Sequence, residues 1–290
     1  MTAMGSNWNA YWRLMRFDRP IGMLLLLWPT WWALLVAGQG QPLLKNIVIF
    51  TLGVVVMRAA GCVMNDIADR NFDPHVARTR NRPLASGELR VQQAFTCFFL
   101  LLLLAFVLVL QTNRLTILLS FAGLALAASY PFFKRYTHLP QVVLGFAFGW
   151  GIPMAFAAEL AEVPAVAWYL FVINMVWVLV YDTLYAMVDR EDDLKIGVKS
   201  TAILFGRRDL AIISGLMVLM LAALVALGTW VGWTWPYFLS IALAAALFGW
   251  QRFEIRERKP AACFKAFLRN NWVGLSIFLG LLGHYLLRVD

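Results

Sequence analysis

Nine predominantly apolar stretches recur along this chain: Ile21 to Val36, Asn46 to Met64, Phe95 to Gln111, Leu115 to Phe133, Gln141 to Ala158, Val163 to Met187, Leu210 to Trp230, Trp235 to Trp250 and Asn271 to Leu287. Each is close to the roughly 17 to 25 residues that carry an α-helix across a bilayer. In hydrocarbon every backbone N–H and C=O must be satisfied inside the segment, so helices are the expected solution. The expectation is an all-α polytopic membrane bundle of about nine transmembrane helices. Composition agrees, because 61% of the residues are hydrophobic, 14% are charged and the mean hydropathy is +0.70. Soluble domains run nearer to about 45–50% apolar and about 25% charged. Nine spans at about 20 residues each leave no room in 290 residues for a separate soluble domain, so residues 1–290 read as one integral-membrane domain.

The formal charge of +9 would suggest nucleic acid in a polar chain, but here it follows membrane topology. Of the 25 Lys and Arg residues, 21 fall in alternate loops on one side, beginning with Arg13, Arg16 and Arg19. Cations retained in short loops mark the cytoplasmic side. This places the amino terminus, with an arm over residues 1–20, in the cytoplasm and the carboxyl terminus in the periplasm. The first apolar run ends in Trp28-Pro29-Thr30-Trp31-Trp32 without a small-residue cleavage site, so it reads as a retained helix. No Arg- and Ser-rich transit segment precedes it, which favours a bacterial inner membrane. Cys62, Cys97 and Cys263 are far apart, so neither a disulfide framework nor a C-x-x-C metal site is expected.

Topology explains Lys and Arg but not aspartate. Acidic residues gather in two loops of the cytoplasmic face, spanning 65–93 and 188–209. In the first, Asn65, Asp69 and Asp73 are spaced i, i+4, i+8, and a continued helix would stack them on one face with Arg58 deeper on the same stripe. In the second, Asp182, Asp189 and Asp193 repeat the pattern. Arg58 and Asp182 lie inside spans and should face a polar interior, since an ionisable group in lipid costs a few kcal/mol. Clustered carboxylates repel unless a cation lies between them. Mg²⁺ fits, because it takes oxygen ligands and is held by one or two carboxylates plus substrate phosphates. Arg78, Arg80, Arg82, Lys134, Arg135, Lys195 and Lys199 then read as donors to phosphate oxygens.

The two motifs also resemble those of a known family. Asn65-Asp66-x-x-Asp69-Arg70-x-x-Asp73 with Arg78-Thr79-Arg80-Asn81-Arg82-Pro83 is similar to the first aspartate-rich motif of the UbiA superfamily of intramembrane prenyltransferases. Asp182-Thr183-x-Tyr185-Ala186-Met187-Val188-Asp189-x-x-x-Asp193-x-Lys195-x-Gly197-x-Lys199 is similar to the second. Asp18-Arg19-Pro20-Ile21-Gly22, Tyr130-Pro131-Phe132-Phe133-Lys134-Arg135 and Pro140-Gln141-x-x-Leu144-Gly145 extend the likeness, which is nearest to the branch that prenylates 4-hydroxybenzoate in ubiquinone synthesis.

The resemblance implies a Mg²⁺-dependent transfer from a polyprenyl diphosphate to the ring carbon ortho to the acceptor's hydroxyl. It also implies that Asn65, Asp69 and Asp73 hold one Mg²⁺ and that Asp189 and Asp193 hold a second, with Asp69, Asp73, Asp189 and Asp193 as the catalytic carboxylates. Arg58, Arg82, Lys134, Arg135, Asp182 and Lys199 are the expected substrate contacts, Arg135 being the first choice for the acceptor carboxylate or the diphosphate. Asp66 falls at the edge of the first face and is the weaker candidate. A dihydroxynaphthoate or homogentisate acceptor is the alternative within the class. An ion-coupled transporter is the alternative outside it, disfavoured because the acids collect at one mouth rather than at mid-bilayer. The Trp-rich runs at Trp28, Trp31, Trp32 and at Trp230, Trp233, Trp235 read as interfacial anchors.

Overall fold

The computed structural model describes residues 2–76, 78–133 and 135–287. Among these, the regular structure is entirely helical. The long elements are α1 (Thr2–Leu14), α2 (Ile21–Ala37), α3 (Leu44–Asp69), α4 (Val91–Val109), α5 (Arg114–Phe133), α6 (Pro140–Gly149), α7 (Gly151–Leu160), α8 (Ala165–Ile196), the short α9 (Thr201–Phe205), α10 (Asp209–Val231), α11 (Trp235–Glu254) and α12 (Pro260–Leu286). Each of the nine sequence spans becomes helix, with α6 and α7 sharing the fifth. Seven helical segments are long and apolar enough to cross a membrane on those criteria alone. The 17-residue α2 is shorter. Asn270, Asn271 and His284 dilute the apolarity of α12.

Helix length places the motifs. About 20 residues cross the hydrocarbon core, so α3, starting at Leu44, emerges near Met64, and α8, starting at Ala165, emerges near Tyr185. Asn65 to Asp69 and Asp189 to Asp193 therefore project beyond the apolar layer on the same side. Arg58 and Asp182 stay within it.

Helix α8 is the central pillar, with 61% of its most apolar window buried inside the protein against 11% for α5 and 17% for α4. Lipid is as apolar as leucine, so packing shape and hydrogen bonds hold such a bundle together. Gly274 of α12 shows this, because a Cβ there would collide with the Trp28 and Trp177 rings. Its carbonyl accepts the Trp32 indole N–H at 3.0 Å, and Trp32 stacks on Trp177 at 5.3 Å. Trp28, in turn, donates to Asn271 at 2.8 Å. The expectation of interfacial anchors is thus corrected for Trp28, Trp32 and Trp233, which are buried, whereas Trp230 and Trp235 are exposed as anchors are.

Candidate active site

A cleft of about 990 Å³ runs from the motif-bearing face into the bundle. Its rim carries Arg16, Asn65, Asp66, Arg78 and Arg82, and its depth is lined by apolar residues such as Val54, Leu124 and Phe148. Phe106 of α4 and Phe121 of α5 line it while remaining exposed on the outside of the bundle, with ring centroids 6.2 Å apart. The cleft is therefore polar at one end and bordered by lipid-facing side chains at the other.

The first motif does not form the expected single stripe. Helix α3 ends at Asp69, and Asp73 opens a separate 3₁₀ turn, Asp73–His75. Pro74 is the reason, since the residue before proline is disfavoured in helical backbone and proline itself starts a turn easily. The turn nevertheless returns Asp73 to the site. Asp66, Asp69 and Asp73 are 1%, 4% and 5% exposed. Asn65 donates through Nδ2 to Asp69 Oδ2 at 3.1 Å, which leaves its carbonyl oxygen as an acceptor. Asp73 accepts from Arg82 Nη1 at 2.9 and 3.1 Å. Burial lifts the Asp73 carboxyl above its ordinary pKa; Arg82 opposes the lift, and Asp69 and Asp66 add to it.

The second motif keeps its helix. α8 continues through Asp189 and Asp193 until Gly197, whose φ of 74° closes it while the Val198 N–H bonds to the Asp193 carbonyl at 3.0 Å. Arg78, from the loop after α3, reaches Asp189 with Nη2 at 2.5 Å and Nε at 2.9 Å, and lies 4.7 Å over the Tyr185 ring. Burial opposes the Arg78 charge, but Tyr185 and Asp189 outweigh it and hold the pKa above the ordinary guanidinium value. Arg78 and Arg82, four residues apart, thus tie one loop to both acidic motifs. From sequence these arginines read as phosphate donors alone, and their bridging role emerges only in the fold.

Deeper in the cleft, Arg58 lies 5.7 Å over the Phe148 ring and donates to Cys62 Sγ at 2.6 Å. It packs so tightly on α2 that Gly22 has no room for a Cβ. Asp182 lines the same region beside Arg58 and the Gln141 side chain, with Tyr130, Tyr181 and Tyr185 around it.

Two expected contacts are redirected. Arg135 donates to the Ala68 carbonyl at 2.5 Å and stacks on Phe72 and Phe132, so it caps the carboxyl end of α3. A cation there also answers the helix dipole. Lys199 donates to the Tyr136 carbonyl at 3.2 Å at an exposed position. Lys134 lies outside the described residues. Asp66 pairs with Arg16 and Arg82, and Arg70 donates to the Ile67 carbonyl. Arg16, counted from sequence only as a topology signal, belongs to the rim.

A charged rim above an apolar, lipid-bordered cleft defines a membrane-embedded site for an amphiphile with an anionic head and a long hydrocarbon tail. Residues 26–278 match the UbiA prenyltransferase family, and the chain belongs to that family. It is 56% identical over 281 residues to the 4-hydroxybenzoate octaprenyltransferase of Methylococcus capsulatus, covering 97% of this chain and 96% of that one. Among solved structures, a UbiA homolog from Aeropyrum pernix K1 superposes with a TM-score of 0.80 at 24% identity, over 90% of this chain and 97% of that one. A UbiA homolog from Archaeoglobus fulgidus bound to GPP and Mg²⁺ gives 0.69 at 19% identity, over 94% and 99%. At these identities the two structures establish a shared fold.

Proposed function

We infer that the chain is a 4-hydroxybenzoate polyprenyltransferase, moving the prenyl group of a polyprenyl diphosphate to the ring carbon ortho to the acceptor's hydroxyl, with release of diphosphate and of the proton from that carbon, as a membrane step of ubiquinone synthesis. The observation that carries this reading is the arginine-bridged convergence of both acidic motifs above the apolar cleft. The identity to 4-hydroxybenzoate octaprenyltransferases supports the choice of acceptor.

Among the described residues, no three His, Cys, Asp or Glu side chains gather into a preformed metal cage. The donors present are hard oxygens, which suits Mg²⁺ held by few carboxylates and completed by phosphate. Asn65, Asp69 and Asp73 would hold one ion, and Asp189 and Asp193 a second. Bound Mg²⁺ supplies charge neutralisation for the departing diphosphate. Arg78 and Arg82 donate to its remaining oxygens, stabilising charge where it develops. The allylic carbon then faces Tyr130, Tyr181 and Tyr185, whose rings offer an electron-rich lining. Arg58 takes the acceptor carboxylate within the cleft. Asp182 lies against it and orients the ring. The prenyl tail lies along the apolar depth, between helices bordering lipid. The setting is a bacterial inner membrane with the rim facing the cytoplasm, as the bias of cations toward that face favours.

The test uses the purified chain in lipid nanodiscs with Mg²⁺, a polyprenyl diphosphate and labelled 4-hydroxybenzoate. A ring-prenylated product is expected. Absence of that product, or transfer to dihydroxynaphthoate or homogentisate in its place, overturns the reading.

A further inference from the structure

Asp66 is the most buried carboxylate of the first motif, at 1% exposure. Its Oδ1 and Oδ2 accept from Arg16 Nη2 at 2.8 and 3.0 Å, and Arg82 Nη1 lies 3.1 Å from Oδ1 as an ion pair. Two guanidiniums therefore face this carboxylate, Arg16 at both oxygens and Arg82 at Oδ1, and a divalent cation on it would lie against two positive charges. Arg82 passes the connection on to Asp73, giving a chain Arg16, Asp66, Arg82, Asp73 along the rim.

Arg16 is held as deliberately as its partner. Its backbone has φ 61°, a left-handed conformation uncommon for a side chain of this size. Its Nη1 donates to the Arg13 carbonyl at 2.6 Å. Arg13 in turn pairs with Glu88 of the loop before α4. Ahead of this turn, Leu14 and Ala10 of α1 are buried against Ala60, Val63 and Ile67 of α3 and Ala94 and Phe98 of α4. The amino-terminal arm is thus docked, and its arginine ends at the cleft mouth. A guanidinium has five N–H donors in a fixed fork. The bonds above leave donors on both Arg16 and Arg82, and both residues line the cleft.

We propose that Asp66 is a positioning residue and not a magnesium ligand: it fixes the guanidiniums of Arg16 and Arg82 at the rim as donors to the donor diphosphate, which makes the amino-terminal arm part of the binding site. This rests on the polyprenyl diphosphate reading above. It separates Asp66 from Asp69, three residues away, by what each one holds.

Kinetics in nanodiscs test it. Asp66→Asn and Arg16→Ala should each raise the donor KM by about tenfold, the loss expected of one charge-assisted contact. The Mg²⁺ concentration for half-maximal rate at saturating donor should stay near that of the unmodified chain, whereas Asp69→Asn should raise it. The double variant should be no worse than the weaker-binding single, since the two residues act as one unit. An Asp66→Asn that raises the Mg²⁺ requirement as Asp69→Asn does overturns the proposal. So does an unchanged donor KM in Arg16→Ala, a variant that keeps the buried carboxylate and serves if Asp66→Asn does not fold. A thermal shift with Mg²⁺ and inorganic diphosphate keeps the two readings distinguishable. An unmodified chain that is stabilised but makes no prenylated product refutes the prenyl-transfer reading, while loss of that shift in Arg16→Ala still supports the clamp and its retention still refutes it.

Discussion

The two acidic motifs have similar spacing in sequence and quite different surroundings in the fold. The first breaks its helix at Asp69, folds Asp73 back on a 3₁₀ turn and buries three carboxylates beneath Arg16 and Arg82. The second stays on one uninterrupted 32-residue helix, with Asp189 and Asp193 both half-buried and Arg78 paired to Asp189. The difference lies in the residues that come after the leading aspartates of each motif. Arg70-Asn71-Phe72-Asp73-Pro74 cannot continue a helix, while Arg190-Glu191-Asp192-Asp193-Leu194-Lys195 can until Gly197. The first motif is a folded socket. The second is a rigid arm brought to it by one arginine.

That contrast can be broken experimentally. Asp69→Asn and Asp189→Asn should each lower kcat/KM by about 100-fold or more, the usual size of losing a group aimed at developing charge. Near-normal transfer by either variant would mean that one motif suffices. Arg78→Lys should cost about tenfold, because a lysine cannot reproduce the forked contact with Asp189. Full activity would show that a positive charge alone joins the motifs. Arg135→Ala should destabilise the fold by roughly 0.3–1 kcal/mol, the worth of a helix-end cation, seen as a lower melting temperature, while leaving both substrate KM values unchanged. A raised KM for 4-hydroxybenzoate would return Arg135 to the acceptor site.

The smallest effect concerns Asp73. Its pKa is raised in the folded chain, mainly by burial, so folding favours its protonated form. The stability it contributes is present at acid pH and lost as pH rises through the raised value. Asp73→Asn, without Mg²⁺ or donor, should therefore raise the melting temperature at pH 7 by about 2 °C. The gain should fade as pH approaches the ordinary carboxylate range. An equal gain at both pH values would locate the cost outside the ionisation.

Most of the helix order was legible because an apolar run of bilayer length has few alternatives, and the motif aspartates were legible by their spacing. The break after Asp69 is also written in the chain, in Pro74, which the repeat of four does not register. Arg16 was harder to find. It lies 50 residues from Asp66, and a rim arginine looks the same in sequence as one retained only for topology. Arg135 and Lys199 pose the same difficulty, since a basic residue beside a motif can face a helix end or a loop carbonyl, as these two do, as readily as a phosphate. Side-chain direction across a tertiary gap is not encoded in local spacing.

The cleft joins two phases, water at the Arg16 and Arg82 rim and lipid beyond Phe106 and Phe121. A small aromatic acid arrives from the first, and once alkylated its preferred solvent is the second. Release then becomes sideways partition, and the chain acts as a one-way valve from solution into the bilayer. The volume that dilutes the product is that of the membrane, so end-product inhibition should fall as the lipid-to-protein ratio rises and be insensitive to the aqueous volume.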